Sequence, residues 1–187
     1  MSSARSRRRR REGVTLPQAA VLTAILGCLL AAFTPTFVRA LRLSKIAEAS
    51  RELERMHVAT AAYFAAPHTV GPETLHRCLP ERAGPLPIEP TVDAHTVDFG
   101  GQDATHAGFV AIGLTIDEPI RFSYALTPTV SGCDLRSPAG TYLVTYRAVG
   151  DLDGDGERSL FERRDRARDD EDVLEPVGIL YVRDRTE

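Results

Sequence analysis

GVTLPQAAVLTAILGCLLAAFTPTFV, residues 13–38, carries no charged side chain. As a helix rising ~1.5 Å per residue, these 26 residues reach about 39 Å, more than the ~30 Å hydrocarbon core of a bilayer. The densest part, residues 19–33, is rich in alanine and holds Thr23, Gly27 and Cys28. Six arginines and one glutamate precede the run within the first thirteen residues, giving +5, while Arg39, Arg42 and Lys45 follow it. The larger basic block keeps the N-terminus on the cytoplasmic side and sends the rest of the chain out. The pattern predicts a one-pass membrane anchor.

Beyond that run, 187 residues with 43% hydrophobic and 26% charged side chains suit one domain with tails. They exclude wholesale disorder and a polytopic membrane protein. The net charge of −3 conceals an asymmetry: with +5 in the first thirteen residues, the remainder carries −8. Positive charge confined to a terminal block before an acidic body argues against a nucleic-acid partner.

Three export readings compete for the N-terminus. A secretory signal peptide would be cut after a small-residue site, for which Ala31-Ala32 could serve, although no clean A-x-A precedes a polar start. A twin-arginine signal needs apolar residues just after the pair, and they are missing. The third reading cuts before the apolar run. It rests on the order of arginine block, Glu12, Gly13, Val14, Thr15 and Leu16, then the membrane run.

On these residues, with the run to Phe33, Pro35 and an amphipathic stretch over residues 37–64, the chain resembles the type IV pilins and pseudopilins. The resemblance implies a prepilin leader cut by prepilin peptidase between Gly13 and Val14, with Val14 then N-methylated. It also implies a head outside the inner membrane and packing against other pilin or pseudopilin subunits through the N-terminal helix, in an extracellular or periplasmic filament. Pro35 falls where pilins carry a helix-bending proline, so a local bend or melted turn is expected there. Two residues depart from the pattern. Val14 stands for the usual phenylalanine, and Gln18 for the glutamate thought to pair with a neighbour's terminal amine. An amide cannot neutralise a charge, which points to a minor subunit. Pro17 is tolerable in a first turn. An ordinary signal anchor shares most of these features.

Past Pro35, Leu43, Ile46, Ala49, Leu53, Met56, Thr60 and Phe64 follow three- and four-residue steps. Arg42, Lys45, Glu48, Arg51, Glu52 and Arg55 fall largely on other faces. The helix is expected to end near Pro67 and to pack on a sheet downstream. The organisation predicted is a leader (residues 1–13), a membrane or filament-core helix (14–38), its amphipathic half (39–66) and an α+β head (67–187) with a small antiparallel sheet.

Six prolines between residues 67 and 93 predict an irregular crossing loop. Cys78 lies there and Cys133 in another turn-rich stretch, with Cys28 inside the membrane run. In an oxidising compartment Cys78 and Cys133 are the natural pair, and two free thiols are the alternative. Residues 108–116 read as an apolar strand joined by a turn at 117–119 to an alternating strand over 120–126. Further strands are expected over 141–149 and 177–182. Residues 163–172 read as a solvated helix or flexible segment.

The sharpest local motif is DLDGDGERSLFE, residues 151–162. Asp151, Asp153 and Asp155 fall at positions 1, 3 and 5 of a calcium loop, Gly156 at 6, a main-chain carbonyl from Glu157 at 7, Ser159 at 9 and Glu162 at 12. A hard cation takes six to eight oxygens, and alternating acids on a tight turn supply them. No helix enters this loop and Arg158 occupies position 8, so it resembles the isolated calcium loops of extracellular proteins rather than an EF-hand. A solvated Asp/Gly turn is the plain alternative.

No catalytic constellation is evident. The five histidines are scattered, His76-Arg77-Cys78 lacks a second half of a zinc site, and there is no G-x-S-x-G elbow. The reading is a structural, non-enzymatic pilin-like subunit carrying calcium. The alternatives are a non-polymerising, membrane-anchored periplasmic calcium-binding domain and a secreted soluble domain.

Overall fold

A computed structural model of the chain describes residues 15–133, 141–168 and 173–184. It is α+β, with a first helix, α1, spanning Leu16–Ala65. Two compact units divide the chain after Arg42.

In the first unit, Leu16–Thr34 is long and apolar enough to cross a membrane, and none of it is buried. The helix continues through Pro35, so the melted turn expected there is not found. The processing residues Gly13 and Val14 lie outside the described residues.

The second unit begins with the remainder of α1. Ala49, Leu53, Met56, Thr60 and Phe64 are fully or almost fully buried, along the stripe that the three- and four-residue spacing selects. Glu48 and Glu52, expected largely on other faces, are buried as well. Each sits beside the stripe, and each finds cationic partners that permit its burial.

The chain then forms a small hairpin, β1 (His68–Val70) with β2 (Glu73–Leu75), and a strand β3 (Ala83–Leu86). This proline-rich stretch is therefore not wholly irregular. The residues expected as a strand over 108–116 form instead a short helix, α2 (Ala107–Ala111), followed by irregular chain. Phe109, Ile112, Leu114 and Ile116 are all buried. A continuous apolar run records burial and does not by itself fix pairing, and the hairpin over 117–119 is correspondingly absent.

The main sheet is antiparallel throughout. Its order is β3, β4 (Ser123–Pro128), β5 (Thr141–Gly150), β6 (Ser159–Arg168), β7 (Leu174–Pro176), with β8 (Tyr181–Arg183) also on β6. Among the described residues it has six strands where three or four were expected. Residues 163–168, expected as solvated helix or flexible segment, belong to β6; of the strand anticipated over 177–182 only 181 and 182 lie in a strand, β8, and β7 precedes it.

Register explains the core. Leu126 faces Tyr146, which faces Arg163, and Tyr124 faces Ala148, which faces Phe161. Tyr124, Leu126, Val144, Tyr146, Ala148 and Phe161 are buried in one cluster with Ala49, Leu53, Met56 and Phe64 of α1. Arg163 and Asp165 occupy the same inward positions, which is why the period of β6 is hidden in the sequence. Cys78 and Cys133 are disulfide-bonded, and Leu79 and Gly132 exchange reciprocal backbone bonds of 2.8 and 3.0 Å beside them.

Candidate functional site

The acidic loop joins β5 to β6 at the end of their ten-residue ladder. Asp151 Oδ1 accepts from the Gly154 amide at 2.7 Å and Oδ2 from the Gly156 amide at 3.2 Å. Asp155 Oδ1 accepts from the Glu157 amide at 2.8 Å. Gly154 and Gly156 have φ of +81° and +93°, a region that side-chain-bearing residues rarely enter. The turn is held from outside as well. Lys45 Nζ donates to the Leu152 carbonyl at 2.7 Å, the Leu152 side chain is buried, and Arg158 pairs with Glu89.

This turn brings ligand oxygens of Asp151, Asp153 and Asp155 within 4.8 Å of one another. The other members of the sequence motif are placed differently. Glu157 is exposed. Ser159 is buried, and its Oγ donates to the Gly150 carbonyl at 3.3 Å. Glu162 lies in β6, where Oε2 accepts from Arg147 Nε at 2.6 Å and Oε1 from Arg164 Nε at 2.7 Å. Burial opposes the Glu162 charge, but the two guanidiniums outweigh it and hold its pKa below the usual carboxylate range. The loop thus offers a cation three clustered carboxylates, with Glu162 engaged by arginine. Three like charges this close repel unless a cation or basic side chains balance them.

At the start of α1, the Thr15 amide donates to Gln18 Oε1 at 3.1 Å, and the Thr15 carbonyl accepts from the Ala19 amide at 2.9 Å. This is the return half of a capping box, T-x-x-Q. Gln18 therefore satisfies one of the unpaired donors at the beginning of its own helix.

A line of polar contacts between α1 and the rest of the head, buried at Glu48, Tyr124 and Asp165, escapes the sequence reading. Glu48 Oε1 accepts from the Arg121 amide at 2.8 Å, and its other oxygen meets Arg121 Nη1 at 3.3 Å. The Tyr124 hydroxyl reaches Glu48 Oε1 at 3.4 Å; burial first, then the Glu48 charge, pushes that phenol far above its ordinary pKa. His57 Nδ1 lies 2.6 Å from Asp165 Oδ2, and Arg163 pairs with Glu54. Charged residues at inward-facing positions of an alternating strand were the available signal.

On the surface, His106 Nδ1 lies 2.5 Å from Asp103 Oδ1 and Nε2 lies 3.1 Å from the Asp98 carbonyl. The Asp103 hydrogen bond raises the His106 pKa. Bonds from Thr105 and then His106 lower Asp103 to about 2.

Compared with protein-family models, curated proteins and solved structures, the chain matches none of them.

Proposed function

We propose that this chain is a membrane-anchored, pilin-like subunit, processed after Gly13 and assembled with other subunits through α1. The observation that carries the reading is one continuous helix with two kinds of surface. Its Leu16–Thr34 part is apolar and unburied, while Ala49, Leu53, Met56 and Phe64 belong to the core beneath an antiparallel sheet. An unburied apolar helix needs lipid or other apolar helices around it, and a helix that is both anchor and head scaffold supplies each in turn. In this reading the single-pass chain sits in the inner membrane with its head periplasmic, and Asp151, Asp153 and Asp155 hold a structural calcium ion. The reading is tested by the mass of the mature N-terminus from membrane-fractionated protein. A chain beginning at Val14 supports it, and an intact leader opposes it.

Gln18 favours a second reading. Its side chain caps its own helix and carries no charge for a neighbour's amine, as suits an anchored calcium-binding domain that does not polymerise. Co-purification of the native chain with other subunits separates the two.

A further inference from the structure

The face of the sheet turned away from α1 is rich in arginine. By register, Arg147 of β5 lies opposite Glu162 of β6, Tyr181 of β8 lies against Glu162, and Arg166 lies opposite Glu175 of β7. Arg164 falls between Glu162 and Arg166 on that same face. The side chains of Arg147 and Arg164 are 51% and 55% exposed although both touch Glu162. One carboxylate shared by two guanidiniums fixes their direction and leaves donors facing outward. Beside them is a groove of about 390 Å³ lined by Glu162, Arg164, Val177, Ile179 and Tyr181. Ile179 is almost wholly exposed.

The chain beyond its first thirteen residues carries −8, whereas the three arginines of this face outnumber Glu162 and Glu175, which makes the face net positive. Its complement is on the same molecule. Asp153, Asp155 and Glu157 are exposed, and the three loop aspartates are crowded together. A chain cannot join the two surfaces by itself. Arg164 and Arg166 stand five and seven residues along β6 from Ser159, roughly 17 and 24 Å at strand rise. We propose that this arginine face docks the acidic loop, residues 151–157, of a second copy. Such a contact is heterologous, joining different patches on the two copies, and it propagates head to tail unless its rotation closes a ring. A divalent cation competes for the same carboxylates, so a calcium-loaded loop and a docked loop are alternative states, and calcium releases the contact. The proposal rests on the assembly reading and names the contact between heads.

The test is self-association of the full chain in detergent micelles with chelator present, followed by sedimentation velocity. Asp153→Asn with Asp155→Asn alters the loop, and Arg164→Gln with Arg166→Gln alters the face. Both pairs preserve shape, and Arg147 remains on Glu162; circular dichroism verifies folding. Each pair is expected to weaken association roughly fivefold to tenfold. The combined variant is expected to be no weaker than either pair alone, because both remove one contact. Effects that multiply, no effect from either pair, or a wild-type chain that stays monomeric would each overturn the proposal. The N-terminal mass of the native protein judges the assembly reading separately.

Discussion

His57 and Asp165 lie 108 positions apart in sequence, yet His57 Nδ1 stands 2.6 Å from an Asp165 carboxylate oxygen. The Asp165 side chain is wholly inaccessible to solvent. This contact ties α1 to the centre of the sheet, at an inward position of β6 directly opposite Val144. Tyr146, on the same inner face, has its phenol pushed well above the ordinary value by burial and then by the Asp165 charge.

Removing the imidazole takes away the 2.6 Å partner of a buried carboxylate and leaves Arg163 Nε, 3.7 Å from its other oxygen, as the charge facing it. His57→Ala is expected to cost about 2 kcal/mol, whereas replacing both residues by leucine costs less because no buried carboxylate then lacks its closest partner. Denaturant unfolding of the two variants beside the wild type measures the difference. Equal losses would mean that the pair contributes only packing.

The Asp103–His106 contact gives a pH window with a definite sign. The His106 pKa is raised above 6.5, so its contribution is full below 6.5 and is lost as pH rises through the folded value. Asp103 is lowered from 3.8 to about 2, so its contribution is present above 3.8 and is lost as pH falls through about 2. The segment around residues 98–106 is therefore held best between these limits. Amide hydrogen exchange at Gly100 and Thr105, corrected for intrinsic rates, is expected to slow within this window. In His106→Gln the alkaline change should disappear.

Gly108 admits no side chain. A Cβ there would lie 2.1 Å from the Glu81 carbonyl oxygen and 3.0 Å from Ala83. Gly108→Ala must push α2 away from this backbone and is expected to destabilise the head by roughly 1–3 kcal/mol. A thermal melt of the variant checks this; an unchanged midpoint would mean that α2 is free to shift.

The same region explains what the sequence could and could not reveal. The α1 stripe from Ala49 to Phe64 was legible because its partners are apolar and its spacing follows the helix period. The alternation of Phe122, Tyr124 and Leu126, and of Val144, Tyr146 and Ala148, was legible for the corresponding reason. In β6, Arg163 and Asp165 take inward positions by pairing with Glu54 and His57 of α1, and a local pattern cannot contain partners so distant. Residues 108–116 failed differently: an apolar run satisfies a buried helix and loop as readily as a strand. At the acidic loop, the three aspartates named from the spacing have oxygens within 4.8 Å of one another. Glu162 was drawn away by Arg147, whose place across the ladder depends on register.

The loop carboxylates supply a further test. If they hold calcium, the wild type should gain about 1.4 kcal/mol when calcium is roughly tenfold above its dissociation constant. Asp153→Asn with Asp155→Asn should lose that gain, while Glu162→Gln should keep most of it because Glu162 is occupied by arginine. Thermal melts with calcium and with chelator distinguish these outcomes. A gain abolished by Glu162→Gln would mean that binding pulls Glu162 away from its arginines.

The most direct test of the functional account is the intact mass and terminal sequence of the native, membrane-fractionated protein. The account predicts a chain beginning at Val14 and carrying one added methyl group on its terminal nitrogen. A chain that retains the arginine-rich leader, or one that begins beyond the apolar run, would contradict it.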